Sequence, residues 1–143
     1  MEALHVPQQL NHFMTCASFD RTTYNKTYPC TLNGLTGRVK TMLDFGGNQD
    51  ILSWYGDGDM MCPFQSGKWF VDRFKYAMTK NLTAWKGQGQ QLAGYYEQWF
   101  PITYVLVKGA GHMVPQDKPI EAKRMIENWI FGPWRSPLRD LDG

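Results

Sequence analysis

Two glycine-bearing segments carry the residues best suited to chemistry. Gly56-Asp57-Gly58-Asp59 follows one apolar run, and Gly109-Ala110-Gly111-His112 follows another. In open α/β sheets, reactive groups gather beyond the carboxyl ends of strands. A carboxylate there can orient an imidazole and stabilise the cation it forms while shuttling a proton. The order acid, then histidine, suits the last two members of a hydrolytic triad whose serine comes earlier. That serine would sit in a Gly-x-Ser-x-Gly turn, and none of the 143 residues forms one.

Each group also has a plainer reading. An aspartate in a glycine turn commonly bonds its own backbone. This is the favoured reading for Asp57, whereas spacing alone leaves Asp59 open. An arbitrary loop histidine is more often a solvated surface group than a base. Gly109 and Gly111 nevertheless permit the tight turn that would project His112 from a strand end. His5 and His12 have no carboxylate partner in sequence. Cys62, three residues after Asp59, is read as a small apolar packing residue rather than a nucleophile. Ser18, Ser53, Ser66 and Ser136 lack a nucleophile turn, and the aromatics Trp54, Tyr55, Trp69 and Phe70 are expected in the core.

The composition suits one folded unit over residues 1–143. It is 43% hydrophobic and 15% aromatic, enough apolar mass for a core. The net charge is only +2, with lysines and arginines scattered, which argues against nucleic acid as a partner. No apolar run approaches a membrane span. Residues 1–10 lack the basic and apolar regions of a secretory signal. The three cysteines, Cys16, Cys30 and Cys62, show no paired spacing and no clustered histidine, so no metal is expected, and no cofactor. An odd count in a secreted chain implies a bridge to a partner or a free thiol. Asn25 and Asn81 each begin an Asn-x-Thr glycosylation sequon.

The elements that must position Asp59 and His112 follow from periodicity. Residues 1–31 read as irregular. A helix is expected over 35–45, with Leu35, Val39, Met42 and Leu43 on one face and Gly46-Gly47 ending it. A short strand over 51–55 precedes the Asp59 turn. A helix over 64–78 presents Phe70, Phe74, Ala77 and Met78. A polar turn over 86–90 leads to strands over 92–100 and 102–108, joined at Pro101 as a hairpin. The last helix is expected over 117–131, capped by Asp117, with Ala122, Met125, Ile126, Trp129 and Ile130 buried and Gly132 ending it. The strand over 51–55, helix over 64–78 and strand over 102–108 form a crossover unit of a parallel sheet. Such sheets need helices on both faces and more strands than this chain supplies. The piece therefore reads as α/β, the edge of a larger sheet.

The segment Ser53-Trp54-Tyr55-Gly56-Asp57-Gly58-Asp59-Met60-Met61-Cys62 resembles the acid-bearing segment of serine carboxypeptidases. Val107-Lys108-Gly109-Ala110-Gly111-His112-Met113-Val114-Pro115-Gln116-Asp117-Lys118-Pro119 resembles their histidine-bearing segment. Gln91 to Tyr96 and Ala3 to Leu10 add weaker likenesses, so the resemblance covers nearly the whole chain. It implies the C-terminal portion of an α/β-hydrolase fold: late strands of a mostly parallel sheet, flanking helices and a hairpin. By position, Asp59 matches the catalytic acid and His112 the catalytic histidine. Met113 matches a wall of the pocket for the departing C-terminal residue. Cys62 matches a cysteine left free beside the active site, and Cys16 one bridged to a cysteine far upstream. Cys30 has no counterpart.

The family's serine segment, oxyanion donors and carboxylate-binding groups are absent from this sequence. Some family members are cleaved into a large and a small chain that stay together, and this chain is similar to the small one. The resemblance thus implies a peptide substrate, a large partner chain attached through Cys16, room for a homodimer of the assembled enzyme, and a lysosomal or secreted location. Similar lysosomal proteins also stabilise partner glycosidases, so a non-catalytic stabilising module is the alternative. A third reading is a partnerless cytosolic remnant of the same fold.

Overall fold

The computed structural model describes residues 32–45 and 49–134. Their elements are α1 (Leu32–Phe45), β1 (Ile51–Gly56), α2 (Phe64–Asp72), β2 (Met78–Lys86), β3 (Leu92–Trp99), β4 (Ile102–Val107), α3 (Val114–Asp117) and α4 (Pro119–Ile130). A 3-10 turn over Gln88–Gln90 joins β2 to β3. The four strands form one sheet in the order β1-β4-β3-β2. β1 runs parallel to β4, and β3 runs antiparallel to both β4 and β2. The expected hairpin and parallel crossover are both present.

β4 explains the layering. Its sequence, ITYVLV, is apolar at nearly every position because both of its faces are covered. Ile102 and Tyr104 join one cluster with Val71, Phe74 and Trp99, against which Val39 and Leu43 of α1 and Phe70 of α2 pack. Val105 and Val107 join the opposite cluster with Trp85, Tyr96, Ala110, Val114, Ala122, Met125 and Trp134. The alternation is the period of two that an extended strand imposes. α1 and α2 thus serve one face and α4 the other. Lys68 on α2 reinforces the first layer, reaching Glu97 on β3 at 3.2 Å and lying 4.0 Å from the Trp99 ring centre.

Several sequence expectations are corrected. The helix expected over 64–78 ends at Asp72, Lys75 takes a left-handed φ of 57°, and Met78 opens a strand. Phe70 and Phe74 do share one layer, but Phe74 already lies past the helix end, and the apparent continuation through Ala77 and Met78 is coincidental, for both are exposed. The last helix is two. Lys118 leaves the helical region, with φ −136° and ψ 63°, as the residue before a proline is pushed to do, and α4 starts at Pro119. Asp117 is therefore not its N-cap. Of the expected stripe, Ala122 and Met125 are buried, Trp129 and Ile130 are partly covered, and Ile126 is exposed. Met42 on α1 is also exposed. Trp54 and Trp69, at 42% and 67% exposure, are not core, while Tyr55 and Phe70 do pack inward. The readings of residues 1–31, His5 and His12, the side chain of Leu35, Gly46-Gly47 and Ser136 fall outside the described residues.

Candidate active site

The parallel ladder sets the site. β1 and β4 pair without interruption from Ile51↔Ile102 to Gly56↔Val107, so both strands end level. The pairing continues into the loops. Asp57 N donates to Val107 O at 3.1 Å, and Gly58 N to Ala110 O at 2.9 Å. Gly56 must be glycine here, because a Cβ would meet the carbonyl oxygens of Ala110 and Gly111. This close approach brings residues 53 positions apart together: Asp59 Oδ2 lies 2.9 Å from His112 Nδ1.

Asp59 is the buried partner, with 4% of its side chain exposed against 45% for His112. Its other oxygen, Oδ1, accepts from Met61 N at 2.8 Å and Cys62 N at 2.9 Å. Burial pushes this carboxyl up. The bonds from Cys62 N, His112 and Met61 N and the attraction of the ring outweigh it, leaving the pKa below the ordinary 3.8. Asp59 is thus an anion at neutral pH and can only accept, which puts the ring hydrogen of His112 on Nδ1. In the neutral imidazole Nε2 is then a lone-pair acceptor, the arrangement a general base requires.

Asp57 does not bond within its own turn. Its Oδ1 accepts from Gly109 N at 2.7 Å, across to the histidine loop. Asp117 Oδ2 accepts from Gly111 N at 2.7 Å. Sequence reading gave neither aspartate this part, because a bond from a carboxylate to a distant amide leaves no periodic trace.

Cys62 is an exposed free thiol, not the packed residue expected. Burial of the sulfur and the negative charge of Asp59 both raise its pKa above the ordinary 9.0, so it is a neutral thiol rather than a nucleophile. Asp59, Cys62 and His112 nonetheless place one donor atom each within 4.8 Å of one another. A metal ion there would have to displace the Asp59–His112 bond. Met113 is half exposed beside His112, and Met60 and Met61 are exposed beside Asp59. Asn81 lies exposed on β2, while Cys16, Cys30 and Asn25 fall outside the described residues. An apolar groove of about 390 Å³, walled by Trp69, Leu82, Tyr95 and Tyr104, opens on the sheet; its lining includes neither Asp59 nor His112. Among the described residues no helix is long and apolar enough to cross a membrane.

The chain is similar to mouse lysosomal protective protein, with 32% identity over 133 residues, which cover 90% of this chain and 27% of the relative. It is similar to serine carboxypeptidase-like 47 of Arabidopsis thaliana, with 27% identity over 87% of this chain and 24% of the relative. Carboxypeptidase Y of Candida albicans shares 31% identity over 59% of this chain and 16% of its own length. The chain spans about a quarter of the length of the first two relatives. Residues 1–132 match the family described as serine carboxypeptidase. With nearly the whole sequence matched, and with mixed α/β structure consistent with that assignment, the chain belongs to the serine carboxypeptidase family.

Proposed function

We propose that this chain is the acid- and histidine-bearing C-terminal portion of an α/β-hydrolase domain, acting with a large chain that carries the nucleophilic serine. The observation that carries this reading is the 2.9 Å contact between a buried, ionised Asp59 and Nδ1 of a half-exposed His112. In the proposed reaction, His112 Nε2 takes the serine proton as its oxygen attacks the last peptide carbonyl. Asp59 holds the ring in the required tautomer and stabilises the imidazolium. The imidazolium returns that proton to the departing amine, releasing the C-terminal amino acid and leaving an acyl-enzyme. His112 then deprotonates a water that hydrolyses the ester, and the serine regains its proton. Met113 and Cys62 stand beside the pair as walls for the departing residue.

The large chain would be tethered through Cys16, with glycans on Asn25 and Asn81 and a lysosomal or secreted location. The assembled enzyme could pair as a homodimer. The short span relative to its relatives supports an incomplete active site in this chain alone. Peptidase activity should be absent from the isolated chain and appear when the large chain is added. His112→Ala should abolish it, and activity surviving that substitution in the assembled enzyme refutes the role.

A further inference from the structure

Among the described residues, the side chain of His112 bonds to Asp59. The three residues before it are held as well. Gly109 N is held by Asp57 Oδ1, and Ala110 O accepts from Gly58 N. The Ala110 side chain is buried in the core, and Gly111 N is held by Asp117 Oδ2. Every residue of the tripeptide is therefore pinned, by partners from two different segments. Both carboxylate bonds are 2.7 Å, the short distance expected when the acceptor is charged.

The glycines fit this arrangement. Gly109 takes φ +70°, and a Cβ at Gly111 would crowd Asp117 Oδ2 at 3.1 Å. The second glycine is thus needed less for turning than for letting a carboxylate reach the backbone. The exposed imidazole projects from the end of this pinned strip.

We propose that Asp57 and Asp117 are positioning residues: two carboxylate braces that grip alternate amides of the tripeptide and fix the reach of His112 to Asp59. Each bonds a backbone amide, while the ring's bond is to Asp59. Their effect passes through the backbone, and it bears on catalysis only through the function proposed above.

The test uses the 143-residue chain with ¹⁵N-labelled histidine. In the unsubstituted chain the His112 nitrogens report a ring protonated at Nδ1. Asp57→Ala and Asp117→Ala should each shift them toward a mixture of the two tautomers. Asp57→Asn and Asp117→Asn, which keep an oxygen acceptor without the charge, should restore most of the original signal. In an Asp59→Ala background, where no side chain at position 59 can hold Nδ1, the alanine substitutions should add no further shift. With the large chain added, each alanine variant should lose about 10- to 100-fold in kcat, with KM little changed.

Alanine variants with unsubstituted His112 signals overturn the proposal. So do alanine and asparagine variants that behave alike, since the effect is then charge at a distance. If the alanine forms fail to fold by circular dichroism, Asp57→Glu and Asp117→Glu displace the acceptor by one methylene. They must show the same release of the ring, and intact signals in both refute the brace. Absence of activity after adding the large chain counts against the proposed function and leaves the histidine signals to judge the brace.

Discussion

The two halves of the sheet obey different rules. β1 and β4 keep one parallel register over six residue pairs, whereas β2 and β3 shift register between Met78 and Lys80, Lys80 and Thr83, and Trp85 and Lys86. β4 is buried on both faces, and β2 is exposed at most positions, with only Trp85 buried. A slip of one residue in β4 would turn its core side chains to the wrong layer, so its register is enforced. β2 has little to lose by slipping. The candidate site stands on the enforced half. A reactive pair drawn from two loops needs strand ends whose relative height is fixed, and the doubly covered parallel pair supplies that.

The sharpest way to break this contrast is to neutralise the acid without removing it. Asp59→Asn preserves size and the backbone bonds to Met61 and Cys62, but its amide can present a donor to Nδ1 and favour the wrong tautomer. In the assembled enzyme kcat should fall by about 10⁴-fold, the scale known for that change in a triad. A loss under tenfold, measured by steady-state kinetics, would mean the chemistry lies elsewhere than beyond β1 and β4. Gly56→Ala attacks the same half through geometry. Any Cβ at that position meets the Ala110 and Gly111 carbonyls and must push the loops apart. The expected loss is about 100-fold in kcat, larger than the accompanying loss of stability explains.

The same contrast explains what the sequence disclosed. β1, β4 and the hairpin are apolar runs bounded by glycine and proline, and burial wrote that pattern. Asp59 and His112 were legible because each follows such a run, and the motifs around them are long. β2 was not legible, since Thr79, Lys80, Asn81 and Thr83 carry no period when most of the strand faces water; its partner β3 makes it a strand. The cover of Trp54 and Trp69 was misjudged because aromatic character says nothing about which neighbours are available. Asp117 fitted a helix cap by spacing, but Pro119 reset the helix start and left its carboxylate for Gly111.

Acid provides a gentler probe of the half that carries the candidate site. The pKa of Asp59 is lowered in the fold, so the unfolded chain binds its proton first as pH falls. The stabilisation from the ionised group is therefore complete above the ordinary value of 3.8 and is lost as pH drops through the lower folded value. Urea unfolding of the chain and of Asp59→Asn should show the largest stability gap above pH 3.8, closing below it. A gap independent of pH would mean that the carboxylate's charge contributes nothing to the pairing.

The smallest effect is expected at the other edge of the sheet, where it has diagnostic value. Strands with free edges invite unwanted pairing, and lysines and irregular register discourage it. β2 has both, with exposed Lys80 and Lys86 beside its register shifts. Lys80→Ala and Asn81→Gln remove exposed side chains from that strand, so stability should change by less than about 0.5 kcal/mol. The ¹⁵N signals of His112 should not move at all, because no part of the ladder between β1 and β4 depends on β2. If Asn81 carries a glycan, Asn81→Gln lowers the intact mass by that glycan while leaving the histidine signals unchanged. A substitution on β2 that disturbs His112 would show that the two halves are mechanically one, and the enforced register of β1 and β4 would then no longer suffice to account for the site.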